Sequence, residues 1–390
     1  MRVIIYTSSS FGGCFDYAGQ LHRAYLAHPQ VESCKMVYPM NAPLPVRSDI
    51  LPLLMPDTPG DDATARTRKL HFLRRTVRNP LTLLRLLQQE PPSLVIFNDF
   101  EQITAPFWVP MFRAVAGKHR FAAILHDPDR DNYPPSQKVS ERCMKALMSL
   151  MDLGLYHQHL PEKPYYQGKK TRYLDIPHGL YPPPAPDAGL EALLATLKRP
   201  GLTYAAILGN IRPEKNYMLA VEALARFPQM GLLIAGKPSH QGVSTEPLKA
   251  RALELGVADR MIWLERFMTE PEMAAVIDAA DMILLYYAKT FTSQSGILNT
   301  VAPLRKTIIA SDGESSLAQT IRRFNIGLLA PPDDLDELSK AIARALDGFG
   351  PDMSDWGNYL EYASWDNHAE TVIAALQEKI PAAAWKGWWA

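Results

Sequence analysis

Cysteine is scarce in this sequence: Cys14, Cys34 and Cys143 are the only three among 390 residues. The number is odd and the spacing wide. No disulfide framework, zinc clip or redox CxxC is written there, and reduced thiols in a cytosolic compartment are the simple reading. Long apolar runs are missing as well. The first strand-like run, Val3-Ile4-Ile5-Tyr6, is too short for a signal-peptide core and is followed at once by Ser8-Ser9-Ser10. No stretch approaches the roughly 18 residues that cross a bilayer as a helix. Neither charge is in excess: 41 basic and 41 acidic residues give a formal net charge of zero, so a whole-molecule field that gathers nucleic acid is not expected. HExxH and related metal-ligand spacings are absent, and so is the GxGxxG dinucleotide fingerprint. No metal site, no cofactor and no standard dehydrogenase are therefore expected.

What is present is the profile of a folded protein, 47% hydrophobic and 21% charged, with a length that suits two domains. Eleven short, mostly β-branched runs read as strands: Val3–Tyr6, Leu94–Phe97, Phe121–Leu125, Leu153–Tyr156, Arg172–Ile176, Tyr204–Leu208, Gly231–Ala235, Met261–Leu264, Met282–Tyr286, Thr307–Ala310 and Gly327–Ala330. Helix-like patterns lie between many of them, for example Tyr217–Phe227, Glu246–Leu255, Glu270–Ala279 and Leu335–Leu346. Alternation of helices with apolar, non-alternating strands predicts parallel α/β sheets, and eleven strands predict two of them. The proline cluster Tyr181–Pro186 is stiff and unsuited to a sheet interior. It places a linker at 181–200 between domains at 1–180 and 201–355. A second proline-rich patch, Asp129–Pro135, reads as a loop over a cleft. The tail 381–390 carries Trp385, Trp388 and Trp389, which suit packing against a neighbour or an interfacial anchor.

Three turns could hold an anion. Ser8–Phe15 follows the first strand, and its Gly12-Gly13 pair lets backbone N–H groups approach a ligand at a helix entrance, though a tight turn needs glycine as well. Gly209-Asn210-Ile211-Arg212-Pro213-Glu214-Lys215-Asn216 follows the strand Tyr204–Leu208. Arg212 and Lys215 there suit a diphosphate, one as a bidentate fork and one as a point charge, unless both are solvated surface charges. Thr292-Ser293-Gln294-Ser295-Gly296-Ile297-Leu298 reads as an anion nest or as an ordinary serine cap. Two histidines stand at strand ends, His126 in His126-Asp127-Pro128 and His178 in Pro177-His178-Gly179. Each is either a structural histidine or one that faces the cleft.

Taken together and in order, these segments resemble glycosyltransferase family 4, a group of retaining enzymes with the GT-B fold: two Rossmann-like domains with parallel sheets facing across a cleft. The resemblance includes Leu232–Lys237, similar to the family's strand and turn, and Ser295–Leu298 followed by Lys306–Ser311. Tyr362-Ala363-Ser364-Trp365 is similar to the start of the family's last helix, which implies a helix over 356–380 crossing back to the first domain. By resemblance, Arg212 and Lys215 hold the donor diphosphate. Gly209, Asn210, Gly236, Lys237, Ser295, Gly296 and Ile297 line the donor site, with Ser295 and Gly296 offering backbone N–H groups to phosphate. Gly12 and Gly13 line the other side of the cleft. His126 contacts the transferred sugar, with Asp127 and His178 nearby. The family's two glutamates, eight positions apart, correspond here to Thr292 and Thr300, neither of which carries a carboxylate.

The implied activity is transfer of a hexose-type sugar from a nucleotide-sugar donor to a glycan or lipid-linked acceptor with retention of configuration, as in polysaccharide biosynthesis. A nucleotide-sugar epimerase and a non-catalytic nucleotide-sugar binder remain as other readings. The basic stretch Arg66, Arg68, Lys69, Arg74, Arg75, Arg78 and Arg85 contains no acid up to Gln89. It interleaves with Leu70, Leu73, Val77, Leu81, Leu84 and Leu87, interrupted at Pro80. It predicts either a solvated helix with a core stripe or a surface for an anionic membrane through 66–89. On the second reading a cytoplasmic protein sits peripherally on the inner face of the membrane.

Overall fold

The computed structural model describes residues 1–45, 47–59, 64–130, 136–168, 170–239 and 242–377. The tryptophan-rich tail and most of the Asp129–Pro135 loop lie outside them. The chain forms two compact units, Met1–Gly179 with the segment from Ser364 onward, and Leu180–Ala363.

The first unit contains β1 (Arg2–Tyr6), β2 (Ser33–Pro39), β3 (Ile50–Leu54), β4 (Leu94–Phe97), β5 (Arg120–Leu125), β6 (Leu153–Tyr156) and β7 (Arg172–Asp175). All pair in parallel, in the order β3-β2-β1-β4-β5-β6-β7. Val3–Tyr6 and Leu94–Phe97 are buried at every position, which is why they read as continuous apolar runs: both faces of the sheet are covered. Its helices are α1 (Gly13–Ala27), α2 (Ala65–Gln89), α3 (Ala105–Phe112) and α4 (Gln137–Met148). On one face Val3 and Ile5 pack with Leu21 and Tyr25 of α1. On the other, Ile4 and Tyr6 pack with Leu83 and Leu87 of α2, Trp108 and Phe112 of α3 and Met144 of α4. Two strands escaped the sequence reading. In β2, Lys35 interrupts the apolar run, and β3 is an edge strand with Pro52 inside it, a residue an edge tolerates.

The second unit contains β8 (Thr203–Leu208), β9 (Met230–Ala235), β10 (Met261–Leu264), β11 (Met282–Leu285), β12 (Thr307–Ser311) and β13 (Leu328–Ala330). These also pair in parallel, in the order β10-β9-β8-β11-β12-β13. Its helices are α5 (Ala188–Leu197), α6 (Tyr217–Arg226), α7 (Glu246–Glu254), α8 (Glu270–Ala279), α9 (Gly296–Val301), α10 (Ser316–Phe324), α11 (Leu335–Leu346) and α12 (Met353–Tyr362). The expected linker at 181–200 thus holds a helix. Asp187 caps it by accepting from Leu190 N at 2.7 Å, and Leu190 and Leu194, four apart, enter the core. The expected helix over 356–380 is two helices. Trp356 and Tyr359 of α12 are buried in the second unit, whereas α13 (Trp365–Leu376), capped by Ser364, places Ala369, Val372 and Ile373 in the core of the first.

The expected core stripe of α2 is only half present. Leu83 and Leu87 are buried, but Leu70, Leu73 and Val77 are 47%, 56% and 47% exposed, and residues 64–70 face solvent on every side. Among the described residues no helix is long and apolar enough to cross a membrane.

Candidate functional site

In open parallel sheets, ligands bind outside the carboxyl ends of the strands where the strand order reverses. In the second unit that point lies between β8 and β11. The chain leaves β8 through Gly209, whose φ of +80° suits glycine. Two further strand-like bonds zip this turn to the one after β9: Ile211 N donates to Lys237 O at 2.8 Å, and Ser239 N donates to Ile211 O at 3.0 Å. Gly236 allows the approach. A Cβ there would stand 2.1 Å from Gly209 O and 2.7 Å from its carbonyl carbon.

Lys215 closes the turn. Only 6% exposed, it donates from Nζ to Leu208 O. A Cβ on Gly209 would meet that Nζ at 3.3 Å and Ile297 Cδ1 at 3.4 Å. Segments some 80 residues apart therefore meet at one point. Burial, helped by the Arg212 charge, brings the Lys215 ammonium down to about 7. Arg212 is exposed, and its charge also acts on Tyr217 and Tyr287. The sequence reading gave neither tyrosine a place in the site. Tyr287 hydrogen-bonds Ser295 Oγ at 3.0 Å and stacks on Phe291 at 4.0 Å between centroids. For Tyr287 the signal available was the pair Tyr286-Tyr287 just past the end of β11.

Other expected residues lie differently. The Ser295 backbone N–H donates to Gln294 Oε1 at 2.9 Å, so it is already engaged, and α9, which Gly296 opens, has only six residues. Thr300 Oγ1 turns back to Gly296 O at 3.2 Å. The carbonyl of Thr292 accepts from Ser316 N at 3.1 Å, steadying the start of α10. The Lys237 ammonium lies over the Phe267 ring, 5.5 Å from its centroid. Asn210 is exposed beside the turn.

In the first unit the strand order reverses between β1 and β4. There Gly12, with φ +77°, precedes α1, and Gly13 is its first residue. No atom lies within 4 Å of a Cβ built on either. Carboxylates that the sequence reading missed hold the loop between β1 and Gly12. Asp99 accepts from Ser8 N at 2.5 Å and Ser9 Oγ at 2.7 Å. Asp57 accepts from Ser10 N at 2.8 Å and Ser10 Oγ at 2.6 Å. Their signal was polar runs at strand ends, Asn98-Asp99 above all. Burial pushes the nearby Glu101 carboxyl up to about 7, although Tyr6 OH donates to it at 2.6 Å. Burial and the Asp99 charge push the Cys14 thiol up to about 11, which leaves it unreactive near neutrality.

His126 and His178, each half-buried, join one cluster with the buried Tyr17, His157 and His368. The Tyr17 ring meets His126 edge-to-face at 4.5 Å, His178 at 5.2 Å and Trp365 at 4.7 Å, and His157 lies 4.9 Å from His178. His126 Nε2 contacts Asn98 Oδ1 at 3.1 Å. Burial first, then the neighbouring histidines, holds both His126 and His178 well below the usual imidazole range. Trp365 fits because Gly179 has no side chain: a Cβ there would stand 2.0 Å from the indole. Asp127 is half-buried directly after His126. Among the described residues no group of three or more His, Cys, Asp or Glu is placed to hold a metal ion.

Residues 195–361 match the family model described as glycosyl transferases group 1. A D-inositol 3-phosphate glycosyltransferase of Mycobacteroides abscessus is 29% identical over 180 residues, 45% of this chain and 39% of that protein. The chain spans between 39% and 56% of the length of the curated relatives it matches. Among solved structures, sucrose-phosphate synthase from Thermosynechococcus elongatus superposes with a TM-score of 0.68 at 17% identity, covering 97% of this chain and 98% of that one. An Anabaena protein solved in complex with UDP gives a TM-score of 0.65 at 12% identity over 97% of this chain and 99% of that one. With two Rossmann-like parallel sheets, of seven and six strands, the fold is GT-B.

Proposed function

We propose that this chain, whose residues 195–361 match the model of the glycosyl transferases group 1 family, transfers a hexose-type sugar from a nucleoside-diphosphate sugar to a glycan or lipid-linked acceptor. The observation that carries the reading is the meeting of Gly209, Lys215 and Ile297 beside Arg212 where the second sheet reverses its strand order. Departure of the diphosphate leaves negative charge on its oxygens and positive charge on the anomeric carbon. Arg212 and Lys215 neutralise the first from one side and leave the second untouched. Configuration is retained, and the departing phosphate accepts the acceptor's proton. The relative named above as a glycosyltransferase and the fold neighbour solved with UDP support the donor class.

A donor-hydrolysis and transfer assay over several nucleotide sugars tests this. Free nucleoside diphosphate is the expected product. An epimeric sugar, or no turnover of any donor, overturns the reading. Arg212→Ala should lower kcat roughly 100- to 1000-fold, the effect of removing one donor to a developing anion, with an unchanged melting temperature. Wild-type turnover in that variant removes Arg212 from the donor site.

Of these two acceptor classes we propose the lipid-linked one, with the first half of α2 resting on an anionic bilayer. Five basic residues and the exposed Leu70, Phe72, Leu73 and Val77 share that half. The neighbouring α3 adds Phe107, 75% exposed, and Met111. An exposed basic and apolar surface of this kind suits an interface between water and charged headgroups.

A further inference from the structure

We infer that Asn98 is a positioning residue that holds His126 in its Nε2–H form and so leaves the lone pair on Nδ1. The residue is fully buried at the carboxyl end of β4. Strand β4 lies between β1, which leads into the glycine loop, and β5, which ends just before His126. Asn98 touches both. Its backbone N–H donates to Tyr6 O at 2.9 Å, and its Nδ2 donates to Cys14 O at 2.8 Å. A backbone carbonyl can only accept, so the amide atom facing Cys14 is nitrogen and the one facing His126 is oxygen. That oxygen, 3.1 Å from His126 Nε2, can only accept in turn. The proton must therefore sit on Nε2. A second proton is disfavoured by burial and by the groups around the ring: His157, His178, His368 and Arg130. Tyr17 fixes the ring plane from another side.

The consequence is chemical. A neutral imidazole with its lone pair on Nδ1 accepts a hydrogen bond from a hydroxyl and repels a phosphate oxygen. This part rests on the reading that His126 faces the transferred sugar, and it makes a sugar hydroxyl, acting as donor, the group His126 selects.

Two-bond ¹H–¹⁵N spectra of the full chain labelled at its ten histidines test the inference, with His126 assigned through signals lost in His126→Asn. The expected wild-type pattern between pH 6 and 8 is protonated Nε2 and unprotonated Nδ1. A protonated Nδ1 with bare Nε2 overturns the inference. Asn98→Leu should loosen the ring, mix the tautomers and lower kcat on the order of 100-fold, the cost of a small misplacement, with little change in KM. Unchanged His126 signals in that variant also overturn it. If Asn98→Leu fails to fold, Asn98→Asp replaces it: a carboxylate still accepts from Nε2, so the tautomer should persist while the titration of His126 moves up. An unmoved titration sinks the proposal. Altered His126 signals with unaltered sugar transfer leave Asn98 in its positioning role and remove His126 from the sugar.

Discussion

Lys215 illustrates what burial does to a cation that the proposed donor site needs. With its ammonium down at about 7, the empty protein holds it roughly half charged near neutrality, and a bound diphosphate should restore the full charge. Donor binding is therefore expected to take up protons at pH 7.5 and to weaken as pH rises beyond 7. Calorimetry in buffers of different ionisation heat measures the uptake, and identical heats in all buffers would exclude it. Glycine supplies a second test. Gly236→Ala drives a Cβ into the Gly209 carbonyl, backbone against backbone, at a φ of +153°. It should cost about 2–4 kcal/mol in chemical denaturation, whereas Gly13→Ala, open on that side, should cost under ~1 kcal/mol. The turn at 209–216 was legible because its residues are neighbours in the chain. Asp57 beneath Ser10 was not, because 47 positions separate them and no local pattern records such a pair.

At the scale of elements, α2 and α13 make opposite demands. The first half of α2 leaves apolar side chains in water. Vesicles rich in phosphatidylglycerol should capture the protein, whereas phosphatidylcholine vesicles should not. Arg74→Gln with Arg78→Gln should weaken capture by about 1 kcal/mol per charge at most. Equal, negligible capture by both vesicles ends the proposal. Helix α13 instead buries His368 among His157, His178 and Tyr17. Burial brings His157 down to about 4 and His368 to about 3. The unfolded chain then binds more protons than the folded one at every pH between the ordinary imidazole range and those values. Stability is complete above about pH 6.5 and is lost as pH falls, by up to about 1.4 kcal/mol per pH unit for each histidine. His368→Phe should flatten the decline in melting temperature between pH 6.5 and 4; an unchanged slope would show that His368 is not held neutral. The sequence disclosed most strands because doubly covered strands are uniformly apolar. It concealed β2, which carries Lys35, and α5, whose helical pattern lies just past a proline cluster that reads as a linker.

For the whole molecule, nucleotide binding should register as stability. A ligand held at 100 times its dissociation constant adds about 2.7 kcal/mol to the native state. Melting curves with UDP, GDP, ADP and dTDP should therefore single out one base, and no shift with any of them would argue against a nucleotide-sugar donor.

One feature of the topology bears on how the protein is made. The unit Leu180–Ala363 is contiguous, whereas the other is assembled from Met1–Gly179 and a segment from Ser364 onward. On the ribosome, the later-synthesised unit can finish folding while the earlier one still waits for the helix that carries Ala369, Val372 and Ile373 into its centre. Nascent chains arrested at successive lengths should thus resist protease over 180–363 before they resist it over 1–179.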